Sequence, residues 1–236
     1  MRFHNLKDGN WVRLSHVLDT TTPAYGDGEK VVIQKVRSMC CGDTSNAIKI
    51  TLSNHIGTHV DAPRHFIADG LAVDQYDVKS WIFTKPLLIE VPAKESEILG
   101  IVQFEKALKG CKDCDLLLVK TGFELMRGAK SYWEKSPSFA PELAGYLKER
   151  LPSIDSIGMD TISLTGYQNR ELGRQAHTEF LKREFRIFED LSLLALSKDL
   201  SLEIVFSFPL LILGADGAPC GMYGLINTYQ KILEES

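Results

Sequence analysis

Residues 47–61 read AIKITLSNHIGTHVD, and the segment sorts by parity. Even positions carry Ile48, Ile50, Leu52, Ile56 and Val60, while odd positions carry Lys49, Thr51, Ser53, His55, Gly57, His59 and Asp61. Such alternation has the period of a strand, whose successive side chains point to opposite faces. One extended segment would bury the aliphatic set and project His55, His59 and Asp61 together from its other face. A helix would also bring His55 and His59 together, four positions apart, but Gly57 and the following Pro63 oppose it. The spacing therefore predicts a strand over 47–61, with Gly57 clearing room for an ion and its water between two imidazoles.

Two neutral imidazoles and a carboxylate suit a borderline divalent ion, with imidazole favouring Zn²⁺ and carboxylate favouring harder ions such as Mn²⁺. The chain continues Ala62-Pro63-Arg64-His65-Phe66, where Pro63 turns it and His65 can return toward the ion. An imidazole titrates close enough to neutrality to take a proton from water and pass it to a leaving nitrogen, so His65 is assigned proton transfer. A lone pair of histidines is more often structural. Here three of the chain's six histidines and an aspartate fall within eleven residues on one polar face, which reverses that expectation.

Outward from this segment, further strand-like runs cover 11–18, 30–37, 86–91, 115–120, 156–159, 203–208 and 222–227. Helical patterns cover 101–109, 141–150 and 173–185. Pro141 and Glu142 suit a helical first turn, where a missing N–H costs nothing and negative charge meets the positive end. Strands gather early and alternate with helices later, and no Pro- or Ser-rich linker divides the chain. The expectation is a single α/β domain over residues 1–236, with a mixed sheet rather than an all-parallel one. Residues 214–219, Gly-Ala-Asp-Gly-Ala-Pro, read as a turn between two strands.

A formal charge of −4 offers no positive field for nucleic acid, and Lys182, Arg183 and Arg186 read as a solvated helix face. The longest apolar run, 204–213, contains Ser207 and Pro209 and is too short to span a bilayer. With no continuous apolar stretch in MRFHNLKDGNWVRL, the protein is expected in the cytoplasm, without membrane or nucleic-acid partners. Five dispersed cysteines do not form a secreted framework, and Cys111-Lys-Asp-Cys114 lacks the second pair a zinc ribbon needs. Neither a P-loop nor a G-x-G-x-x-G string occurs, so nucleotide chemistry has no support.

The string His55-Ile-Gly-Thr-His59-Val-Asp61-Ala-Pro-Arg-His65 resembles the H-x-G-T-H-x-D-x-P-x-H signature of the metal-dependent cyclase-like hydrolases, the family of bacterial kynurenine formamidases and isatin hydrolases. Leu14-Ser15-His16, the loop Thr22-Pro-Ala-Tyr25-Gly-Asp27 and Ile157-Gly-Met-Asp160 through Ser163 are similar to other family elements. The proline usual after the aromatic of that loop is missing, as is the arginine of a C-terminal P-x-R element, at Pro219-Cys-Gly221. The resemblance implies a partly closed, barrel-like core of the swivelling β/β/α type flanked by helices. It implies one or two divalent ions, with His177 and Glu189 as further ligands and Asp61 bridging two sites. Twelve residues cannot keep His177 and Glu189 on one straight helical face, so the helix is expected to end near 185–188 and leave Glu189 on a short extended segment.

The family reading also implies a homo-oligomer, a dimer, and a small-molecule substrate. Metal-activated water would cleave the amide of a small aromatic compound, an N-formylkynurenine-type arylformamide in the first instance, with Tyr25 in the substrate pocket. Phe66, Trp81 and Phe83 are assigned to core rather than pocket. The alternatives are a cyclic amide such as isatin, another carbonyl substrate, or a non-catalytic metal-binding protein.

Overall fold

The computed structural model describes residues 9–197 and 200–226. Its elements run β1 (Trp11–Arg13), β2 (Val32–Arg37), β3 (Ala47–Thr51), β4 (His59–Asp61), β5 (Ile82–Phe83), β6 (Pro86–Glu90), β7 (Ile98–Leu99), α1 (Ile101–Ala107) and β8 (Leu116–Lys120). They continue with α2 (Ser131–Glu134), β9 (Ser138–Phe139), α3 (Leu143–Arg150), β10 (Ser156–Met159), α4 (Arg170–Leu181), β11 (Arg186–Glu189), β12 (Leu202–Pro209) and β13 (Gly217–Ile226).

Nine strands form one mixed sheet in the order β5-β12-β13-β4-β11-β10-β8-β6, with β1 added on β13. β6, β8, β10 and β11 pair in parallel, and the remaining pairs of this sheet are antiparallel. β12 lies beside β6 as well as β13, so the sheet curls toward closure, as expected of a barrel-like core. The parallel strands are short aliphatic runs because both of their faces are covered. On β8, Leu117 and Val119 pack with Phe104 of α1, Leu147 of α3 and Phe180 of α4, whereas Leu116 and Leu118 face the inner cluster with Val60, Phe188 and Met222.

The strand expected over 47–61 is two strands. Among the described residues β3 pairs only with β2, in a separate ribbon, and its Ile48 and Ile50 are 56% and 52% exposed, so the aliphatic set is not buried there. A two-stranded ribbon has no second layer to cover either face. The chain then turns through 52–58 and re-enters the main sheet as β4, where the alternation holds: Val60 is core and His59 and Asp61 share the opposite face. Gly57 does not make room for an ion. Its φ is +62°, and a Cβ there would collide with Leu18 Cδ2, so glycine is required by backbone conformation and by Leu18.

Other boundaries shift. The 11–18 run forms strand only at β1, with an isolated bridge from Ser15 to Leu191. The run expected over 222–227 belongs to β13, which starts at Gly217; Asn227 lies outside the described residues. α4 covers Arg170–Leu181, and Glu184 at φ +60° closes the turn before β11. Arg186 is not on a solvated helix face: it is buried in β11 beneath Tyr76, Trp81 and Phe83 and pairs with Asp155. Cys111 and Cys114 are free thiols.

Candidate active site

β4 lies between β11 and β13 and is antiparallel to both. Register sets Glu189 opposite His59, and Gly217 opposite Asp61. This pairing brings a residue from 189 against residues from 59–61, and α4, packed over the same face, adds His177.

The two buried imidazoles are prepared in the same way. His59 donates its Nδ1–H to the Gly57 carbonyl at 2.8 Å, and His177 donates its Nδ1–H to the Gly173 carbonyl at 2.8 Å. Each therefore turns Nε2 to the centre, the atom through which a metal-ligating histidine would bind. His59 Nε2 lies 3.3 Å from Asp61 Oδ1 and 3.4 Å from Glu189 Oε2, and His177 Nε2 lies 3.3 Å from Glu189 Oε1 and 3.8 Å from Asp61 Oδ2. Donors at about 2.0–2.1 Å from a tetrahedral ion stand about 3.3–3.4 Å apart, so three of these four separations match donors around a common cation. Two overlapping triads, His55/His59/Asp61 and Asp61/His177/Glu189, share Asp61.

Two carboxylates buried side by side need compensating positive charge. For Asp61, burial works against ionisation, but His55 and His59 outweigh it and hold the carboxyl well below its usual range. For Glu189, burial and Asp61 both work against ionisation, yet His177 and His59 bring the carboxyl down to about 2. Its Oε1 also accepts from Leu164 N at 2.6 Å and Ser163 Oγ at 3.0 Å.

His55 and His65 lie on the solvent side of this cluster. His55 is held at both nitrogens, by Asp61 Oδ1 at 2.8 Å and Asp216 Oδ2 at 2.9 Å, and its ring packs 4.0 Å from that of His65. Burial disfavours charge on His55, but the two carboxylates raise its pKa overall. A ring between two acceptors is favoured in its charged form, and a divalent cation would supply the compensating positive charge with the ring neutral. His65 is bonded through Nδ1 to the same Asp216 oxygen at 2.7 Å. Asp216 thus organises two imidazoles, and its carboxyl is brought down to about 2 by them against the cost of burial. It also accepts from Asn54 Nδ2 at 2.7 Å. Sequence reading does not find it, because Asp216-Gly217 carries only a turn signal. Gly217 itself has a site role, since a Cβ there would collide with the His55 ring.

These groups floor a cavity of about 270 Å³ whose walls include Tyr25, Ile56, Phe66 and Ile162. Tyr25 meets Tyr167 edge-on at 5.5 Å, and Phe66 stacks on His177 at 5.0 Å. Phe66 is therefore pocket rather than core, whereas Trp81 and Phe83 are core as expected. Burial, and then Glu189, push the Tyr25 phenol up to about 12, so it meets a ligand as a neutral hydroxyl. Asp190, which follows Glu189, adopts φ +52° and is clamped by Arg127 at 2.8 and 2.7 Å and by the Tyr132 hydroxyl at 2.7 Å. His16 lies outside the cavity lining, where its backbone N–H donates to Thr58 Oγ1 at 2.9 Å just before β4.

Residues 12–165 match a family model described as "Putative cyclase". A kynurenine formamidase from Bacillus cereus is 28% identical over 215 residues, covering 91% of this chain and 96% of that protein. Cyclase-like protein 2 from Oryza sativa subsp. japonica is 27% identical over 222 residues, covering 87% of this chain and 75% of that protein. Among solved structures, isatin hydrolase A from Labrenzia aggregata superposes with a TM-score of 0.80 at 21% identity, covering 94% of this chain and 96% of that one.

Proposed function

The chain belongs to the cyclase family, and from that premise we propose that it is a metal-dependent hydrolase cleaving the amide bond of a small aromatic substrate, an N-formylkynurenine-type arylformamide in the first instance. The observation that carries this reading is the paired presentation of His59 and His177, each tied at Nδ1 to a backbone carbonyl and each turned by Nε2 onto Asp61 and Glu189. His55, His59, Asp61, His177 and Glu189 would hold one or two divalent ions, with Asp61 shared between them. The donor set, imidazole with carboxylate and no thiolate, fits Zn²⁺ or Mn²⁺. When bound, such an ion lowers the pKa of water and polarises a carbonyl.

The remaining work belongs to the chain's own side chains. His65 borders the cavity beside the cluster and moves the proton, taking it from the attacking water and returning it to the departing arylamine nitrogen. Asp216 fixes the tautomer and orientation of that ring. Tyr25 and Phe66 flank the substrate ring, and the apolar walls exclude bulk water. No protein nucleophile is required, so neither Ser53 nor Cys40 has a covalent role. The chain is further read as a homodimer, on its resemblance to the family.

Release of formate from an N-formyl arylamine, followed on chelator-treated protein before and after Zn²⁺ or Mn²⁺ is returned, tests the proposal. Turnover should appear only with the ion. Turnover of isatin alone would move the substrate to cyclic amides, and turnover of neither would favour a non-catalytic metal protein.

A further inference from the structure

The floor of the cavity is acidic and its walls are aromatic, but its mouth is basic. α4 turns Arg170, Gly173, Arg174 and His177 toward the cavity. That i, i+3, i+4, i+7 spacing places all four on one helical face. With a rise of about 1.5 Å per residue, Arg174 stands about 4.5 Å and Arg170 about 10.5 Å along the axis from His177. The acidic residues of the helix, Glu171 and Glu179, are not on the lining face.

The two guanidinium groups are placed differently. Arg170 sits over the Tyr167 ring at 5.5 Å, and Tyr167 in turn meets Tyr25, so this cation is attached to the aromatic wall. Arg174 lies 3.4 Å from Glu171, but the two side chains are 62% and 71% exposed, and such a pair exchanges readily for another anion. Gly173, between them, lets the helix approach Thr165, where a Cβ would stand only 2.6 Å from Oγ1. The cavity is small for a ligand pocket, which suits one ring and its substituents.

We propose that Arg170 and Arg174 are specificity-determining residues, which select aryl amides bearing a carboxylate on a substituent away from the scissile bond. The guanidinium fork donates two parallel N–H groups to such a carboxylate, in a geometry an ammonium cannot match. A neutral substrate gains nothing from either arginine. The inference rests on the hydrolase reading for the position of the amide, and assigns two residues of this chain to the carboxylate that an N-formylkynurenine-type substrate carries.

The test compares 4-formamidobenzoate with formanilide on the metal-loaded wild type and on the double variant Arg170→Gln/Arg174→Gln, whose exposed positions tolerate the change. The wild type should prefer the carboxylate by roughly ten- to a hundredfold in kcat/KM, and the variant should lose that preference. A preference unchanged in the variant overturns the proposal. Calorimetric binding of 4-acetamidobenzoate to the same two proteins separates the two readings. Weaker binding by the variant, with neither formamide turned over, would keep the anion subsite and reject hydrolysis. Equal binding by both proteins would reject the subsite whatever the turnover.

Discussion

At the scale of single residues, the site turns on how two imidazoles share one carboxylate oxygen. His65→Ala should lower turnover by roughly 100- to 10,000-fold while ion content stays near that of the wild type, because His65 is proposed to move protons and is not among the proposed ligands. Equal turnover would remove the role assigned to it. Asp216→Asn keeps the volume but weakens the hold on both rings, so kcat should fall by about 10- to 100-fold with the far-ultraviolet circular dichroism unchanged. A kcat matching the wild type would show that His65 orients itself without Asp216. His55, His59, Asp61 and His65 were legible because they lie in one short string with a long motif. Asp216 was not, since it reaches His65 and His55 across 151 and 161 positions, and its local sequence carries only a turn signal. Phe66 was likewise misplaced, because an aromatic beside a turn gives no sign of whether it faces core or cavity.

At the scale of elements, the break between β3 and β4 decides where the imidazoles stand. Gly57→Ala forces a positive φ on a residue with a Cβ and drives that atom into Leu18, so unfolding by denaturant should show a loss of about 1–3 kcal/mol. A variant as stable as the wild type would mean that the 52–58 turn relaxes freely. Alternation alone could not reveal the break, because a ribbon exposed on both faces and a half-buried strand can carry the same pattern. Ile48 and Ile50 are read as core by parity and lie in solvent because no third strand among the described residues pairs with their ribbon. The reverse holds for His177 and Glu189, where helical geometry required a stop. The left-handed Glu184 provides it, and β11 then carries Glu189 to its place opposite His59.

At the scale of the whole molecule, the mixed character of the sheet followed from the order of the runs, but its closure did not. Pairings such as β4 with β13 and β12 with β5 join segments far apart in sequence, which no local pattern encodes. The site is built on those long-range pairings, so occupancy and folding should be linked. An ion that binds only the folded chain at a concentration a hundred times its Kd adds about 2.7 kcal/mol. For a chain of this length that corresponds to a rise in Tm of roughly 5–11 °C over the chelated protein, measured by calorimetry. Identical melting with and without the ion would separate the cluster from the fold's stability.

The most direct measurement is elemental analysis of the chain after equilibration with Zn²⁺ or Mn²⁺ and removal of free ion, for the wild type beside Asp61→Asn. The wild type should retain between one and two ions per chain, and the variant, lacking the shared carboxylate, should retain fewer. A wild type that leaves dialysis with essentially no ion, or a variant that holds as much as its parent, would contradict the site described above.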